Sequence, residues 1–315
     1  MKKSSNHRQE IRRLEMITIL GWLYRPLLGI ARRIGLSGTK KVNVTGASAS
    51  VGTTVVACLG ASATAAVGSY DWIADLAQRP ALASFRFFRF AEGGDLAYNG
   101  LERLPDVINC HPDSVIILLG ENDVLALISQ KHAQFVHLTK HLPRTPSPQW
   151  FRETMQAVVR RLKTETKAAI ALCSLIPIGE DPNSANPFQA EANRRIEEYS
   201  TILKDIAREE AVGYIPFYER MHERILACPS RAFTSFDFLP FYRDVFRQFV
   251  LHKSHDEIGR LNGWRFHRDG LHLNSLSGKL LADLVQEFLI TATGTDRSMK
   301  EQAPASDLHK SHEIE

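Results

Sequence analysis

Apolar residues in this chain fall into short unbroken runs separated by stretches of helical periodicity. Val55, Val56, Ala57, Cys58 and Leu59 form one such run, closed by Gly60. Ser114–Leu119 (SVIILL) and Ala168–Ile176 are of the same kind. Continuous apolar runs bounded by turn residues predict strands covered on both faces, as in a parallel sheet. Phe85–Ala91 (FRFFRFA) alternates and predicts a further strand, turned by Gly93-Gly94-Asp95, and Val212–Pro216 predicts a short last one. Between the strands, Ala63–Ala81 carries Trp72, Ile73, Leu76 and Ala77 at helical spacing up to Pro80. Leu96–Asn109 sets Leu101, Leu104, Val107 and Ile108 on one face, and Trp150–Lys163, Asn193–Glu210 and Leu280–Ile290 repeat the pattern. This alternation predicts a three-layer α/β/α sandwich with a central parallel sheet.

Three stretches depart from the pattern. Phe217–Trp264 is rich in aromatics interleaved with arginines and delays the return to the sheet. A long insertion of this kind reads either as a lid or substrate wall, or as a helical excursion with a small core of its own. Residues 1–41 form a basic, partly apolar segment, and residues 294–315 are polar and read as a disordered tail. The expected organisation is therefore 1–41, a single α/β domain over 42–293 with its insertion at about 217–264, and 294–315.

Charge sharpens that division. The chain of 315 residues has a net charge of +4, but residues 1–41 hold ten Lys and Arg against two Glu, a net +8. The remaining −4 belongs to residues 42–315, which argues against nucleic acid as a partner. Residues 16–30 (MITILGWLYRPLLGI) are too short to span a bilayer and make a poor secretory signal, interrupted by Arg25. They read as an interfacial helix, giving peripheral membrane contact through residues 16–34, or as a helix packed on the protein itself. The four cysteines lack CxxC spacing, and Cys58, Cys110 and Cys173, in or beside apolar runs, read as buried thiols of a reducing compartment, so a cytoplasmic location is expected, with membrane association through the N-terminal segment. No metal site of the usual Cys/His spacing is visible, and the Gly-rich residues 46–52 lack the spacing of a phosphate loop.

Candidate chemistry collects at strand-end turns, where ligands bind in open α/β sheets. Ser62 follows the first strand and is a candidate nucleophile if a base removes its proton. His272 is that base, and Asp269, three residues earlier, can reach its other ring nitrogen and stabilise the imidazolium. The backbone N–H groups of Ser62 and Gly94 and the side-chain amide of Asn122 are candidate oxyanion donors, each worth about 3 kcal/mol of barrier in comparable holes. Asp123 reads as a brace for the turn presenting Asn122. His252, His255 and His267 read as surface or lid residues, with His267 and Arg268 at the pocket mouth.

Over roughly residues 52–292 these turns resemble the SGNH hydrolase superfamily, also called the GDSL lipases and esterases. Gly60-Ala61-Ser62 matches the GDS serine turn and Gly93-Gly94-Asp95 the glycine turn of the oxyanion hole. Gly120-Glu121-Asn122-Asp123 matches GxND, and Asp269-Gly270-Leu271-His272 matches DxxH. The resemblance implies a serine esterase acting through an acyl-enzyme, with catalytic Ser62, Asp269 and His272 and an oxyanion hole of Ser62, Gly94 and Asn122. It implies no metal and no organic cofactor, and a small-molecule ester as partner; the oligomeric state is left open. The aromatic insertion and the basic, apolar N-terminus favour lipid-like or short acyl esters. Ala61 stands where the family has aspartate, which keeps open the alternative of a catalytically weak or inactive binding protein of the same fold. A nucleotide-binding α/β protein is a third alternative.

Overall fold

A computed structural model describes residues 42–44, 53–236 and 238–301. The segment 1–41, its apolar stretch 16–34, the Gly-rich residues 46–52 and residues 302–315 lie outside the described residues.

Among the described residues six strands make one sheet in the order β1-β3-β2-β4-β5-β6, with β1 Val42–Val44, β2 Thr54–Gly60, β3 Phe85–Ala91, β4 Ser114–Leu118, β5 Ala169–Cys173 and β6 Gly213–Ile215. The last five run parallel, while β1 pairs antiparallel with the outer edge of β3. Residues 42–44 thus belong to the sheet as its antiparallel edge strand. Three residues with period-two apolarity are too few to show above their polar flanks.

Successive strand residues point to opposite faces, and this alternation builds two cores. Ala57, Leu59, Val115, Ile117, Ile170 and Leu172 pack on one face. They meet α3 Ala97–Glu102, α4 Leu104–Ile108, α7 Pro148–Glu165 and α8 Pro187–Glu209. Val56, Cys58, Ile116, Leu118, Ala171 and Cys173 pack on the other, against α2 Trp72–Gln78, α9 Phe217–Ala227 and α12 Ser275–Glu301. The expected three-layer sandwich is the observed fold. Each fully buried Val, Leu or Ile adds about 1.5–3 kcal/mol, so the central strands anchor both helical layers to the sheet.

Some helices differ from the sequence pattern. The stretch 63–81 divides into α1 Ser62–Ala65 and α2, because Ala66 and Gly68 take positive φ of 56° and 68° and Asp71 caps the second helix on Ala74 N. The stretch 96–109 breaks at Arg103 because Pro105, second in α4, cannot donate to the preceding turn. α5 Glu121–Ile128 and α6 Gln130–Thr139 follow β4 where no helix was predicted; Ser129 separates them and caps α6 on His132 N. α12 runs on to Glu301, past the residue where a disordered tail was expected to begin.

The insertion holds α9, α10 Phe238–Phe249 and α11 His255–Asn262. Among its described side chains, α10 buries a carboxylate and exposes apolar residues. Its Asp244 is fully buried and binds Arg247 at 3.0 Å and the Asn262 amide at 2.7 Å, while Leu239, Phe246 and Phe249 face solvent. Among the described residues no helix is long and apolar enough to cross a membrane.

Candidate active site

Sheet register brings the candidate turns to one edge. Gly60 pairs with Ala91 on one side and Leu118 on the other, so the carboxyl ends of β2, β3 and β4 finish level. The chain leaves β2 first toward β3 and later returns to β4 on the opposite side. Such a switch point leaves a crevice at the carboxyl edge.

The serine turn is tight. A Cβ on Gly60 would lie 2.0 Å from Thr64 Oγ1 and 2.9 Å from the Leu118 carbonyl, so only glycine lets the strand bend into α1. Ser62 is the first residue of α1, and Ala61 before it is buried in the apolar cluster with Leu59 and Val124.

Across the crevice, His272 Nε2 lies 3.0 Å from Ser62 Oγ and its Nδ1 lies 2.8 Å from Asp269 Oδ2. Asp269 Oδ1 also accepts the N–H groups of Leu271 at 3.1 Å and His272 at 2.8 Å. Gly270, at φ 91°, makes the turn between them. Burial alone would raise the Asp269 carboxyl. The charge and ring N–H of His272, the nearby Arg268 guanidinium and the His272 backbone N–H outweigh it and hold the carboxyl well below its usual range. Asp269 is therefore an ionised acceptor at neutral pH.

The glycine turn and the GEND turn are tied together on the other side. Gly94 takes a φ of 80°. The Asn122 amide donates to the Asp95 carbonyl at 2.9 Å, which commits one of its two hydrogens and leaves the other for the crevice. Asp123 Oδ2 accepts Ala97 N–H at 3.0 Å, so it braces the turn as expected. Burial pushes the Asp123 carboxyl up to about 7, against the pull of those backbone donors.

The sequence reading missed what anchors this half. Buried Asp95 is gripped by Arg103 Nη1 at 2.5 Å and Lys140 Nζ at 2.8 Å, and Lys140 also reaches Glu92 at 3.0 Å. A basic residue 45 positions downstream gave no signal. Glu121, at the start of α5, accepts Ile176 N–H at 3.2 Å; burial raises its carboxyl, partly offset by its backbone bonds and the charge of His272. The expectations for His267 and Arg268 are corrected. His267 and Arg268 do not line a pocket mouth; both are fully buried beneath the loop that carries Asp269 and His272. His252 is exposed and His255 half-buried, and burial lowers His255 to about 4, with Arg268 and His272 adding to the effect. Cys58 and Cys173 are buried, Cys110 and Cys228 only partly so. Among the described residues no group of three His, Cys, Asp or Glu is arranged to hold a metal.

The model of the GDSL-like lipase/acylhydrolase family matches residues 58–275, which takes in all four turns. The chain belongs to this family. As a GDSL-like acylhydrolase, and so a member of the SGNH superfamily, it is an ester-bond hydrolase acting on a small-molecule ester. Solved structures share the GDSL fold at low identity. The acetyl xylan esterase AlAXEase is 22% identical with a TM-score of 0.50, over 74% of this chain and 98% of that one. A putative GDSL-like lipase from Parabacteroides merdae is 16% identical with a TM-score of 0.51, over 76% and 95%. A catalytic mutant of Axe2, an acetylxylan esterase from Geobacillus stearothermophilus, is 16% identical with a TM-score of 0.52, over 75% and 94%. No curated protein matches the chain.

Proposed function

We propose that the chain hydrolyses carboxylic esters through an acyl-enzyme formed on Ser62. The observation that carries this reading is the continuous chain from Ser62 Oγ to His272 Nε2 at 3.0 Å and from Nδ1 to Asp269 at 2.8 Å. His272 takes the hydroxyl proton as Oγ attacks the carbonyl carbon, and Asp269 stabilises the imidazolium. The Ser62 and Gly94 N–H groups and the Asn122 amide receive the oxyanion. Collapse breaks the bond to the alcohol oxygen, which leaves with the proton from Nε2. Water then gives a proton to Nε2 and attacks the acyl carbon; the carboxylic acid departs as Ser62 regains its proton from Nε2.

Lipid-like or short acyl esters fit best. Exposed Leu239, Phe246 and Phe249 on α10 support contact with apolar esters, and the family's acetylxylan esterases support a short acyl group. Hydrolysis of p-nitrophenyl esters from acetate to laurate by the wild type, S62A and H272A tests the reading. Loss of turnover in both folded variants is expected, with a fluorophosphonate probe labelling only chains that keep Ser62. A fully active S62A would remove the mechanism.

A further inference from the structure

One buried carboxylate, away from the proposed nucleophile, gathers five donors. Glu180 Oε1 accepts the backbone N–H groups of Phe266 and His267 at 2.7 Å each, and His267 Nδ1 at 2.8 Å. Its Oε2 accepts Arg265 N–H at 2.7 Å and the Ser230 hydroxyl at 2.5 Å. The other ring nitrogen of His267, Nε2, lies 2.9 Å from the Pro177 carbonyl. Both side chains are fully shielded from solvent.

These contacts decide which form of the ring fits. A neutral imidazole has one N–H and one bare lone pair. Here both nitrogens face acceptors only, a carboxylate and a carbonyl. A bare nitrogen at either place would set lone pair against lone pair in a buried, low-dielectric site. A ring with two protons satisfies both and neutralises Glu180.

We propose that Glu180 and His267 form a buried carboxylate–imidazolium pair that fixes the loop carrying Asp269 and His272, which makes both of them positioning residues for hydrolysis. The inference rests on the Ser62–His272–Asp269 reading for its kinetic consequence, though not for the protonation of His267.

The pair stands between two parts of the fold. Pro177 and Glu180 belong to the connection after β5, where the Gly179 N–H donates to the Gly270 carbonyl at 2.9 Å. His267 precedes the base loop and bridges to Leu273 beyond it, and the Arg268 N–H donates to the His272 carbonyl at 2.8 Å. α11 closes the outer side, since a Cβ on Gly259 would come 2.6 Å from the His267 carbonyl. Of the charged neighbours along the chain, Arg231 donates from Nη1 to the Asn262 carbonyl, Arg268 donates from Nη1 to the Gly68 carbonyl, and Asp269 accepts the His272 N–H. Burial would raise the Glu180 carboxyl, but the His267 ring above all, then Ser230 and the Arg265 N–H, lower it to about 2.

The test begins with the unaltered full chain. Nitrogen-15 spectra of the histidine rings at pH 7 are expected to show protons on both ring nitrogens of His267, assigned by their loss in H267Q. A single protonated nitrogen on that ring overturns the proposal whether or not any variant folds. In E180Q, kcat for a p-nitrophenyl ester is expected to fall about tenfold to a hundredfold, the scale of a small misplacement of reacting groups, with KM within about twofold. The double variant E180Q/H267Q, which replaces the ion pair with two neutral amides, recovers part of that loss. Wild-type kcat in a folded E180Q overturns the positioning role; a variant that does not fold leaves the wild-type spectrum to decide. An active S62A would sink the triad reading while leaving the His267 spectrum as expected, so the two failures are distinguishable.

Discussion

Lys140 places its ammonium 2.8 Å from the Asp95 carboxylate, and the carbonyl of that same Asp95 receives the Asn122 amide at 2.9 Å. One residue thus joins a buried ion network to the proposed oxyanion donor Asn122. Burial raises the Asp95 carboxyl, and Arg103 and Lys140 work against that rise.

Lys140→Met removes one of those two cations. Arg103 remains, so the expected loss of stability is about 2 kcal/mol, below the cost of leaving a buried charge wholly unpaired. Because the Asp95 carbonyl orients Asn122, kcat is expected to fall more than KM changes. Urea unfolding and initial rates on one ester check both halves. Unchanged kcat in a destabilised protein would separate the network from the oxyanion turn.

Gly94→Ala meets two obstacles. The residue sits at φ 80°, and a Cβ would lie 2.9 Å from the Phe135 ring and 3.3 Å from Lys140 Cε. The backbone strain alone costs on the order of 1–2 kcal/mol. The turn must shift, carrying its N–H away from the proposed oxyanion site, and kcat is expected to drop about a hundredfold or more. Steady-state kinetics on a sample with native circular dichroism read this out.

Asp269→Asn keeps the shape and removes the charge. By analogy with other serine hydrolases, loss of the orienting carboxylate costs about four orders of magnitude in kcat. The effect on folding has a definite sign. A carboxyl held below its unfolded value stabilises the fold above about pH 4, and that contribution fades as pH falls through the lowered value. The wild type is therefore expected to lose more stability than the variant on acidification below pH 4, as measured by thermal melts.

Asp123 behaves in the opposite sense. Its carboxyl titrates at about 7 in the fold against 3.8 for the unperturbed group. The fold therefore pays for ionising it, and stability from this group is complete below pH 4 and lost as pH rises through 7. Asp123→Asn keeps an oxygen for the Ala97 N–H and removes the charge. Relative to the wild type it is expected to gain about 2 kcal/mol at pH 8, short of the full linkage of about 4 kcal/mol because the new amide hydrogens need partners. The gain shrinks toward pH 4. Denaturation at the two pH values would show a constant difference if the carboxyl were ordinary.

The chain order alone carried the layer architecture, because buried strands and amphipathic helices differ in local period. It also carried the turns at Ser62, Gly94, Asn122 and Asp269–His272, because a tight turn or a three-residue reach constrains neighbouring residues. Short range also explains the misses. β1 is three residues long, α5 begins inside a motif, and Pro105 breaks a helix whose apolar spacing continues across the break. What only the tertiary structure decided was partnership across the sheet. Ser62 and His272 are 210 positions apart, Asp95 and Lys140 are 45 apart, and Glu180 and His267 are 87 apart. A lone Glu or His looks the same in sequence whether it faces water or a buried counter-charge. Burial excludes the water that would otherwise answer it, and only the folded chain says which residue takes that place.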